Sequence, residues 1–476
     1  MIEKLKDNFF IRNNSFLFLS IFFIVIAFLN FDNIFLGMAE DTDSRALVQS
    51  FVNNNSDNYE PSRALGVPLY EIIGKRVFAL GGINALNFYS YFLWICLFFV
   101  VIEIFKLLKL ENKLFFSLSF SLHPLIISSS TIPLETIQSV LFSALVLFFS
   151  IRYLFDQRNF FLFLSLVFSI LATLTRPDNV FIVFTIFCLF IYRKEINKNI
   201  LITAFLYVFF ISVIYIYEFN FLENFASTAS EFKVSGADFI RLLLGPIYLL
   251  GIFSIGLLAL LKFKTFQNLF CEQSPTSKDN FLRQLFFLAT VIFLIRWTML
   301  PDEIEYLLNY FLIFIIYSAF FFKKLFLVLL TISISSQFFF VPYLFEKEIK
   351  INDKVIEYSY ILDPGLTEGI IQQNNQIRKS NIKAQSIDFL KKIEFKPPLE
   401  INHVEFPPYL NAIILNKNFF LTGPVGLAQL SGKFKSYIDK NNLYLCSTEI
   451  IPNRGWRVFQ KAKFIESNNP IICKEI

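Results

Sequence analysis

The sequence is short of charge and of cysteine for its length, and each shortage excludes a class of protein. Only 17% of its 476 residues are Asp, Glu, Lys or Arg, whereas a soluble protein carries about 25%. No run of Lys and Arg indicates a nucleic-acid surface. The five cysteines show no metal-ligand spacing. We therefore expect no nucleic-acid partner and no cysteine-based metal site.

Motifs for nucleotide and hydrolase chemistry are also missing. The chain has no P-loop, no dinucleotide fingerprint, no zinc motif and no serine-hydrolase elbow. It shows no internal repeat of the kind on which many transporters are built. These absences argue against a nucleotide-dependent enzyme, a zinc enzyme, a serine hydrolase and a transporter built from repeats.

Long apolar runs take the place of the missing charge. Hydrophobic residues make up 55% of the chain, which includes 65 phenylalanines. Apolar runs long enough to span a bilayer, or nearly so, continue to about residue 345. They fall at about 15–36, 84–105, 114–129, 135–151, 160–175, 179–192, 200–217, 238–261, 284–300, 305–322 and 325–344. The sequence predicts a polytopic α-helical membrane domain at 1–345, with about eleven transmembrane helices, followed by a soluble domain at 346–476.

The charge of the connections predicts which side each one faces. Lys and Arg lie before the first run and after the second, fourth, sixth, eighth and tenth runs. By the positive-inside rule these connections are cytoplasmic. The pattern predicts a multi-pass protein of the plasma (inner) membrane, with a cytoplasmic N-terminus and an extracytoplasmic C-terminal domain. No cytoplasmic segment is then long enough to hold a nucleotide-binding domain.

The final segment alternates strand-like and helix-like stretches. "NAIILN" and "NLYLCSTEI" are typical of strands, whereas "AQSIDFLKKI" and "GLAQLSGKFKSYIDK" are typical of helices. This alternation predicts a small extracytoplasmic α/β domain. In an oxidising space Cys446 and Cys473 would form a disulfide, and two free buried thiols are the equal alternative.

The first outer connection, at 37–82, concentrates acid–base chemistry. Glu40, Asp41 and Asp43 fall within four residues, just after an apolar run. Carboxylates beside the hydrocarbon are costly unless they are paired or face a wet cavity, so by default they indicate a functional site. The same connection carries the cations Arg45, Arg63, Lys75 and Arg76. A carboxylate that removes a proton beside cations that hold a phosphate is the minimum for transfer from a phosphate-linked donor.

Two short helices are expected in this connection. Asp43 is suited to cap a helix through Leu47 and Phe51. Pro68 is suited to the first turn of a second helix, whose apolar stripe at 69–80 would lie in the membrane surface.

Four polar positions in later outer connections have two interpretations each. Arg176 and Asp178 of "TRPDN" form either a local ion pair in a proline turn or part of an anion site. His123 is either a helix-end cap or a site residue. Glu135 either favours the positive end of a helix or takes a catalytic or metal role. Arg296 lies beside the acidic "LPDEIEY" segment, which either starts a helix or joins the site.

Two motifs, "EDTDSRA" (40–46) and "SRALGVPLYE" (62–71), are the basis of a family resemblance. The first 345 residues resemble the GT-C superfamily of integral-membrane glycosyltransferases. That superfamily includes protein O-mannosyltransferases and the aminoarabinose transferases that act on lipid A. The resemblance implies inverting transfer of a hexosyl or pentosyl group from a polyprenyl phosphate or diphosphate to a lipid, glycan or protein acceptor. It also implies that an Asp of the first loop is the general base. Asp41 has the spacing of the superfamily's acid-x-x-x-aromatic-Ala pattern, but Arg45 replaces the aromatic residue, so Asp43 is its rival.

The resemblance also implies the remaining site residues. The substrate- and phosphate-binding set is predicted to be Glu40, Arg45, Arg63, Tyr70, Glu71, Lys75, Arg76, His123, Arg176, Asp178 and Arg296. Some superfamily members need a divalent cation such as Mg²⁺ or Mn²⁺, for which Asp41, Asp43 and Glu135 are the candidate ligands. Two other functions remain open, a transporter or flippase and a polymerase or ligase of lipid-linked glycans.

Overall fold

The computed structural model describes most of the first 338 residues and short strands beyond them. The ranges are 20–36, 47–48, 50–51, 66–110, 113–215, 249–251, 253–265, 277–299, 307–338, 344–351, 354–361, 403–405, 420–422, 443–448, 463–465 and 471–475.

The described part of the first 338 residues is a bundle of α-helices. They are α1 (Ser20–Phe35), α2 (Pro68–Leu107), α3 (Lys113–Ser121), α4 (Pro124–Ser129), α5 (Thr136–Asp156), α6 (Asn159–Thr175), α7 (Val180–Tyr192), α8 (Lys198–Val213), α9 (Ser254–Leu260), α10 (Ser277–Met299), α11 (Leu308–Phe321) and α12 (Lys324–Ser335). Among the described residues, α2, α5 and residues 281–298 of α10 are long and apolar enough to cross a membrane by themselves. The predicted count of about eleven spans stays a prediction.

Most helices coincide with the predicted apolar runs, and the run at 114–129 does not. The structure divides it into α3 and α4 at His123, whose φ of −58° and ψ of 133° are extended. Pro124 explains the break, since a residue before proline is disfavoured in the α region. The run at 114–129 therefore forms two helices and not one continuous helix. The run at 325–344 is also too long, because α12 ends at Ser335 and a strand begins at Leu344.

Helix α2 consists of two helical segments that meet at a bend. Its 40 residues would measure about 60 Å if straight, twice the hydrocarbon thickness. Helical dihedrals are lost at Gly81 and Gly82, and Gly82 has φ 64°, a region that favours glycine. The helix begins at Pro68 as predicted. Ile72 and Leu80, on its first segment, are 51% and 86% exposed, as expected for a stripe lying in a membrane surface.

The helix ends gather at two ends of the bundle. At one end, a cavity of about 210 Å³ is lined by Leu108 at the end of α2, Phe155 of α5, Arg193 after α7, Phe281 of α10 and Phe320 of α11. We call this the basic end, since Arg152, Arg193 and Arg283 lie there over phenylalanine rings. Basic connections that are distant in sequence therefore meet, as the alternating charge pattern predicts.

The other end, which we call the site end, is held by buried polar contacts. Asn30 Nδ2 of α1 donates to Ser130 Oγ at 3.0 Å, and Asn87 Nδ2 of α2 donates to the Ile34 carbonyl at 2.8 Å. Asn309 Nδ2 of α11 donates to Asn179 Oδ1 at 2.8 Å. These residues are at most 5% exposed. In an apolar bundle such hydrogen bonds tie helices together, because an unpaired amide there would be costly.

All described residues after 343 lie in strands. They are β1 (Leu344–Ile351), β2 (Lys354–Ile361), β3 (His403–Glu405), β4 (Phe420–Thr422), β5 (Leu443–Thr448), β6 (Lys463–Ile465) and β7 (Ile471–Glu475). β1 and β2 pair antiparallel, and the other five form a mixed sheet of order β4-β3-β5-β7-β6. The predicted strand "NLYLCSTEI" is confirmed by β5. The predicted α/β class and the domain boundary stay predictions, and "NAIILN" and both predicted helices lie outside the described residues.

The register of β5 on β7 brings two cysteines opposite each other. Cys446 is the direct antiparallel partner of Cys473. Opposite residues of an antiparallel pair have Cα atoms about 4.5–5.5 Å apart, which is within the range of disulfides. The backbone register is thus compatible with the predicted disulfide, which stays a prediction.

Candidate functional site

A buried group of opposite charges lies at the site end, where α6 turns into α7. Arg176 Nε is 3.2 Å from Asp178 Oδ1 and 3.8 Å from Glu135 Oε1. The side chains of Arg176, Asp178 and Glu135 are 8%, 14% and 2% exposed. The sequence predicted a local ion pair in a proline turn as one reading of "TRPDN", and this pair is confirmed. Its contact with Glu135, 41 residues earlier, brings two predicted site positions together.

The local sequence explains how the turn forms. α6 ends at Thr175, and Arg176 is extended with φ −148° and ψ 124°, as expected before a proline. Pro177, Asp178 and Asn179 form one 3-10 turn, after which α7 begins. Arg176 is therefore held between two helix ends, and its guanidinium reaches the start of α5 at Glu135.

Tyr215, after α8, binds the end of α6 beside this turn. Its hydroxyl donates to the Thr173 carbonyl at 3.0 Å, while Thr173 Oγ1 lies 2.7 Å from the Tyr207 hydroxyl. Asp178 and Glu71 both lie within electrostatic range of the Tyr215 hydroxyl, and Glu71 is 5% exposed.

The described residues of the first loop pack against the first segment of α2. Leu47, Val48, Ser50 and Phe51 are helical, in line with the predicted short helix. Leu47, Val48 and Phe51 form a buried apolar cluster with Tyr70 and other residues of α2. Gly74 makes room for them, since a Cβ there would lie 2.7 Å from Phe51 Cζ.

The predicted site residues of α2 divide by exposure. Tyr70 and Glu71 are 0% and 5% exposed, whereas Lys75 and Arg76 lie on the exposed side of the helix. Arg296, in the last turn of α10, is 5% exposed. Tyr70 and Glu71 thus lie inside the bundle and Lys75 and Arg76 on its surface.

His123 makes the helix cap that was one of its two interpretations. Its Nδ1 accepts a hydrogen bond from the Leu125 backbone N–H at 3.2 Å, so Nε2 carries the proton and donates to the Leu249 carbonyl at 2.8 Å. Ser333 Oγ donates to the next carbonyl, Leu250, at 2.8 Å. The imidazole is 0% exposed and ties α4 to the chain before α9. A substrate-binding role for it stays a prediction.

The acidic motif and two of its cations lie outside the described residues. They are Glu40, Asp41, Asp43, Arg45 and Arg63. Their predicted roles stay predictions.

A divalent cation at Glu135 would lie beside a positive charge. Arg176 Nε is 3.8 Å from this carboxylate. Within the described ranges, no three side chains of His, Cys, Asp or Glu gather in a group that could hold a metal ion. Asp41 and Asp43, the other two candidate ligands, lie outside the described residues, so a cation site at Asp41, Asp43 and Glu135 stays a prediction.

Three buried amides beside the charged turn were not predicted from the sequence. Gln138 Nε2 donates to Thr175 Oγ1 at 3.1 Å and its Oε1 accepts from the Tyr89 hydroxyl at 2.9 Å. Asn179 and Asn309 form the amide contact described above. All three are at most 5% exposed. The sequence signal for them was an amide side chain within or next to an apolar run, because an amide buried there without a hydrogen-bond partner costs free energy.

The architecture matches solved structures along nearly its whole length. It is similar to ArnT from Cupriavidus metallidurans bound to undecaprenyl phosphate, with a TM-score of 0.55, 9% identity, and coverage of 96% of this chain and 97% of that chain. The apo state of the same protein gives a TM-score of 0.52 and 8% identity with equal coverage. The chain has an ArnT-like fold. The predicted likeness to aminoarabinose transferases is thereby confirmed at the level of the fold.

The ArnT-like fold and the apolar helices together make the chain a multi-pass membrane protein. No protein-family model matches the sequence, and no curated protein matches it. The likeness to ArnT is therefore one of fold.

Proposed function

We propose that the chain is an integral-membrane glycosyltransferase that moves a hexosyl or pentosyl group from a polyprenyl-phosphate-linked donor to a lipid, glycan or protein acceptor. The transfer takes place at the outer face of the plasma membrane. The observation that carries the proposal is the ArnT-like fold over 96% of the chain. One ArnT structure with this fold holds undecaprenyl phosphate.

The position of the first loop supports the assignment of its acids. Leu47 packs with Tyr70 of α2, next in sequence to the buried Glu71. Asp43 precedes Leu47 by four residues, which span at most about 14 Å of chain. The length of the chain therefore allows an Asp of "EDTDSRA" to reach the end of α2 that carries Glu71.

The proposed reaction is a direct displacement at the anomeric carbon. An acceptor oxygen attacks this carbon while Asp41, or its rival Asp43, takes the proton from that oxygen. The bond from the anomeric carbon to the phosphate oxygen breaks, and its electron pair stays on the phosphate. Transfer is inverting, and the second product is the polyprenyl phosphate with one additional negative charge.

The charged turn at the site end is assigned to the departing phosphate. A guanidinium stabilises phosphate charge through planar, paired hydrogen bonds. Arg176 is the described cation of the turn, and Asp178 and Glu135 hold its Nε side. Preorganised donors of this kind act most strongly where water is excluded, which fits the 8% exposure of this side chain.

Transfer of radiolabelled sugar by the purified protein tests the proposal. Wild type, Asp41→Asn and Asp43→Asn are incubated in lipid nanodiscs with a panel of polyprenyl-phosphate sugars. Loss of the general base is expected to lower kcat by about 10²- to 10⁴-fold in one of the two variants. Glu103→Gln is the matched control, since Glu103 forms an exposed ion pair with Lys106 near the end of α2 that reaches the basic end. Full activity in both Asp variants would contradict the mechanism, and movement of intact donor without transfer would favour a flippase.

A further inference from the structure

The turn that carries Arg176 is fixed on one side by a single amide. Asn179 Nδ2 donates to the Ala172 carbonyl of α6 at 2.7 Å. Its Oδ1 accepts from Ser143 Oγ of α5 at 3.0 Å and from Asn309 Nδ2 of α11 at 2.8 Å. Because a carbonyl only accepts, the contact with Ala172 decides which end of the amide is nitrogen. One side chain, 1% exposed, therefore connects three helices to the start of a fourth.

The same contacts reach the backbone of Arg176. The Ala172 carbonyl also accepts from the Arg176 N–H at 3.0 Å, and the Asn179 N–H donates to the Arg176 carbonyl at 3.0 Å. Asn179 thus binds Ala172 through its side chain and Arg176 through its backbone N–H, and these bonds form one ring with the Arg176 N–H to Ala172 bond.

The other side of the turn is fixed by a second amide. Gln138 joins Tyr89 of α2 to Thr175, the residue before Arg176. Gln138 and Thr175 are both 0% exposed. Arg176 therefore lies between two anchored neighbours, Thr175 and Asn179, each tied to α5.

We propose that Asn179 and Gln138 are positioning residues, which act on sugar transfer by fixing the place of the Arg176 guanidinium. This inference rests on the proposed function, in which Arg176 receives the leaving phosphate. A displacement of about 1 Å in such a group lowers rates by up to about 100-fold. Neither amide takes part in bond making or proton transfer.

A double-mutant cycle on the transfer rate separates positioning from general stability. Asn179→Ala is expected to lower kcat about 10-fold in the wild-type background, with little change in donor KM. In an Arg176→Ala background the same substitution is expected to change kcat less than 2-fold, because no guanidinium remains to be placed. A full 10-fold loss in both backgrounds would overturn the proposal.

The matched control removes an equivalent hydrogen bond elsewhere. Ser150 Oγ lies 2.7 Å from Ser165 Oγ, which joins α5 to α6 away from the turn, and both residues are buried. Ser150→Ala is expected to lower thermal stability and leave kcat within 2-fold. A 10-fold loss in this variant would show that any loosening of the two helices has the same effect, and the proposal would fail.

Two further variants apply if Asn179→Ala does not fold. Ser143→Ala removes one hydrogen bond to the amide, and Gln138→Met keeps the length of the side chain without its polar end. Each is expected to lower kcat about 3-fold in the wild-type background and to have no effect in the Arg176→Ala background. Equal losses in both backgrounds would contradict the proposal.

Hydrogen exchange of the backbone at 172–180 supplies a readout that needs no activity. In full-length protein, Asn179→Ala is expected to speed exchange of this segment at least 10-fold, whereas Ser150→Ala is not. Unchanged exchange would overturn the inference even if transfer is slow. If wild type transfers no sugar from any donor, the proposed function fails, and the exchange result alone then decides whether Asn179 fixes this turn.

Discussion

Helix α7 has an Arg-x-acid sequence at each end, and the two resulting ion pairs differ in their surroundings. Arg176 and Asp178 precede it, with Nε 3.2 Å from Oδ1, whereas Arg193 and Glu195 follow it, with Nε 2.8 Å from Oε1. The second pair is shorter but more exposed, at 31% and 27% against 8% and 14%. The charge pattern and spacing alone therefore do not identify a site.

The surroundings make the difference between the two turns. Arg193 lies over the Phe281 ring beside an apolar cavity, where its charge remains partly hydrated. Arg176 has a second carboxylate, Glu135, and its flanking residues Thr175 and Asn179 are held by buried hydrogen bonds. Exposed ion pairs contribute about 0–1 kcal/mol, whereas a buried charge that loses its partner costs several kcal/mol. The comparison predicts large effects at one end of α7 and small ones at the other.

The largest contrast is expected between the two arginines. Arg176→Ala should lower kcat about 10²- to 10³-fold, the usual loss when one preorganised donor to a developing charge is removed. Arg193→Ala should stay within about 2-fold, since its ion pair is partly exposed. Radiolabelled transfer by both variants in nanodiscs measures the difference. Equal activities would remove the functional distinction between the turns.

A smaller contrast is expected in stability when each acid is neutralised. Asp178→Asn should reduce the free energy of unfolding by about 2 kcal/mol, because a buried charge-assisted contact of Arg176 is weakened while Glu135 remains. Glu195→Gln should cost less than about 1 kcal/mol. Thermal unfolding in one detergent ranks the two variants, and a larger loss for Glu195→Gln would refute the ranking.

The smallest effect on kcat is expected at an asparagine near the basic end. Asn197 Oδ1 accepts from the Ile200 N–H at 3.0 Å and caps α8, while its Nδ2 donates to the Tyr153 hydroxyl at 2.9 Å. Asn197→Ala should cost about 1 kcal/mol of stability, as for other N-caps, and leave kcat unchanged. A fall in kcat comparable to that of Asn179→Ala would show that the two asparagines do not differ in role.

The parts of the fold that were predictable depend on residues close in sequence. The charge of each connection and the apolar length between connections are local properties, so most helices could be placed. Pro68 marked the start of α2 for the same reason. The hydropathy of 114–129 concealed the break at His123, because the run stays apolar while Pro124 changes the backbone.

The parts that were not predictable depend on distant pairs. Asn179 contacts Ser143 and Asn309, which are 36 and 130 positions away. A single sequence gives no register between such helices, so "TRPDN" could be interpreted as an ion pair but not as an anchored turn. Glu135 was a candidate by its position at a helix start, and only packing brought it to Arg176.

A small change of the bend angle at Gly81 and Gly82 of α2 would move the distant end of its first segment. Ten helical residues separate Glu71 from Gly81, which corresponds to about 15 Å of rise. If the first segment rotates as a rigid body about Gly81 and Gly82, each degree of rotation displaces the Glu71 backbone by about 0.26 Å. A Cβ at Gly82 would meet nothing within 4 Å, yet its φ of 64° is unfavourable for other residues. An alanine at Gly82 would thus fit sterically but change the bend angle, and the resulting displacement would be largest at the Glu71 end of the first segment.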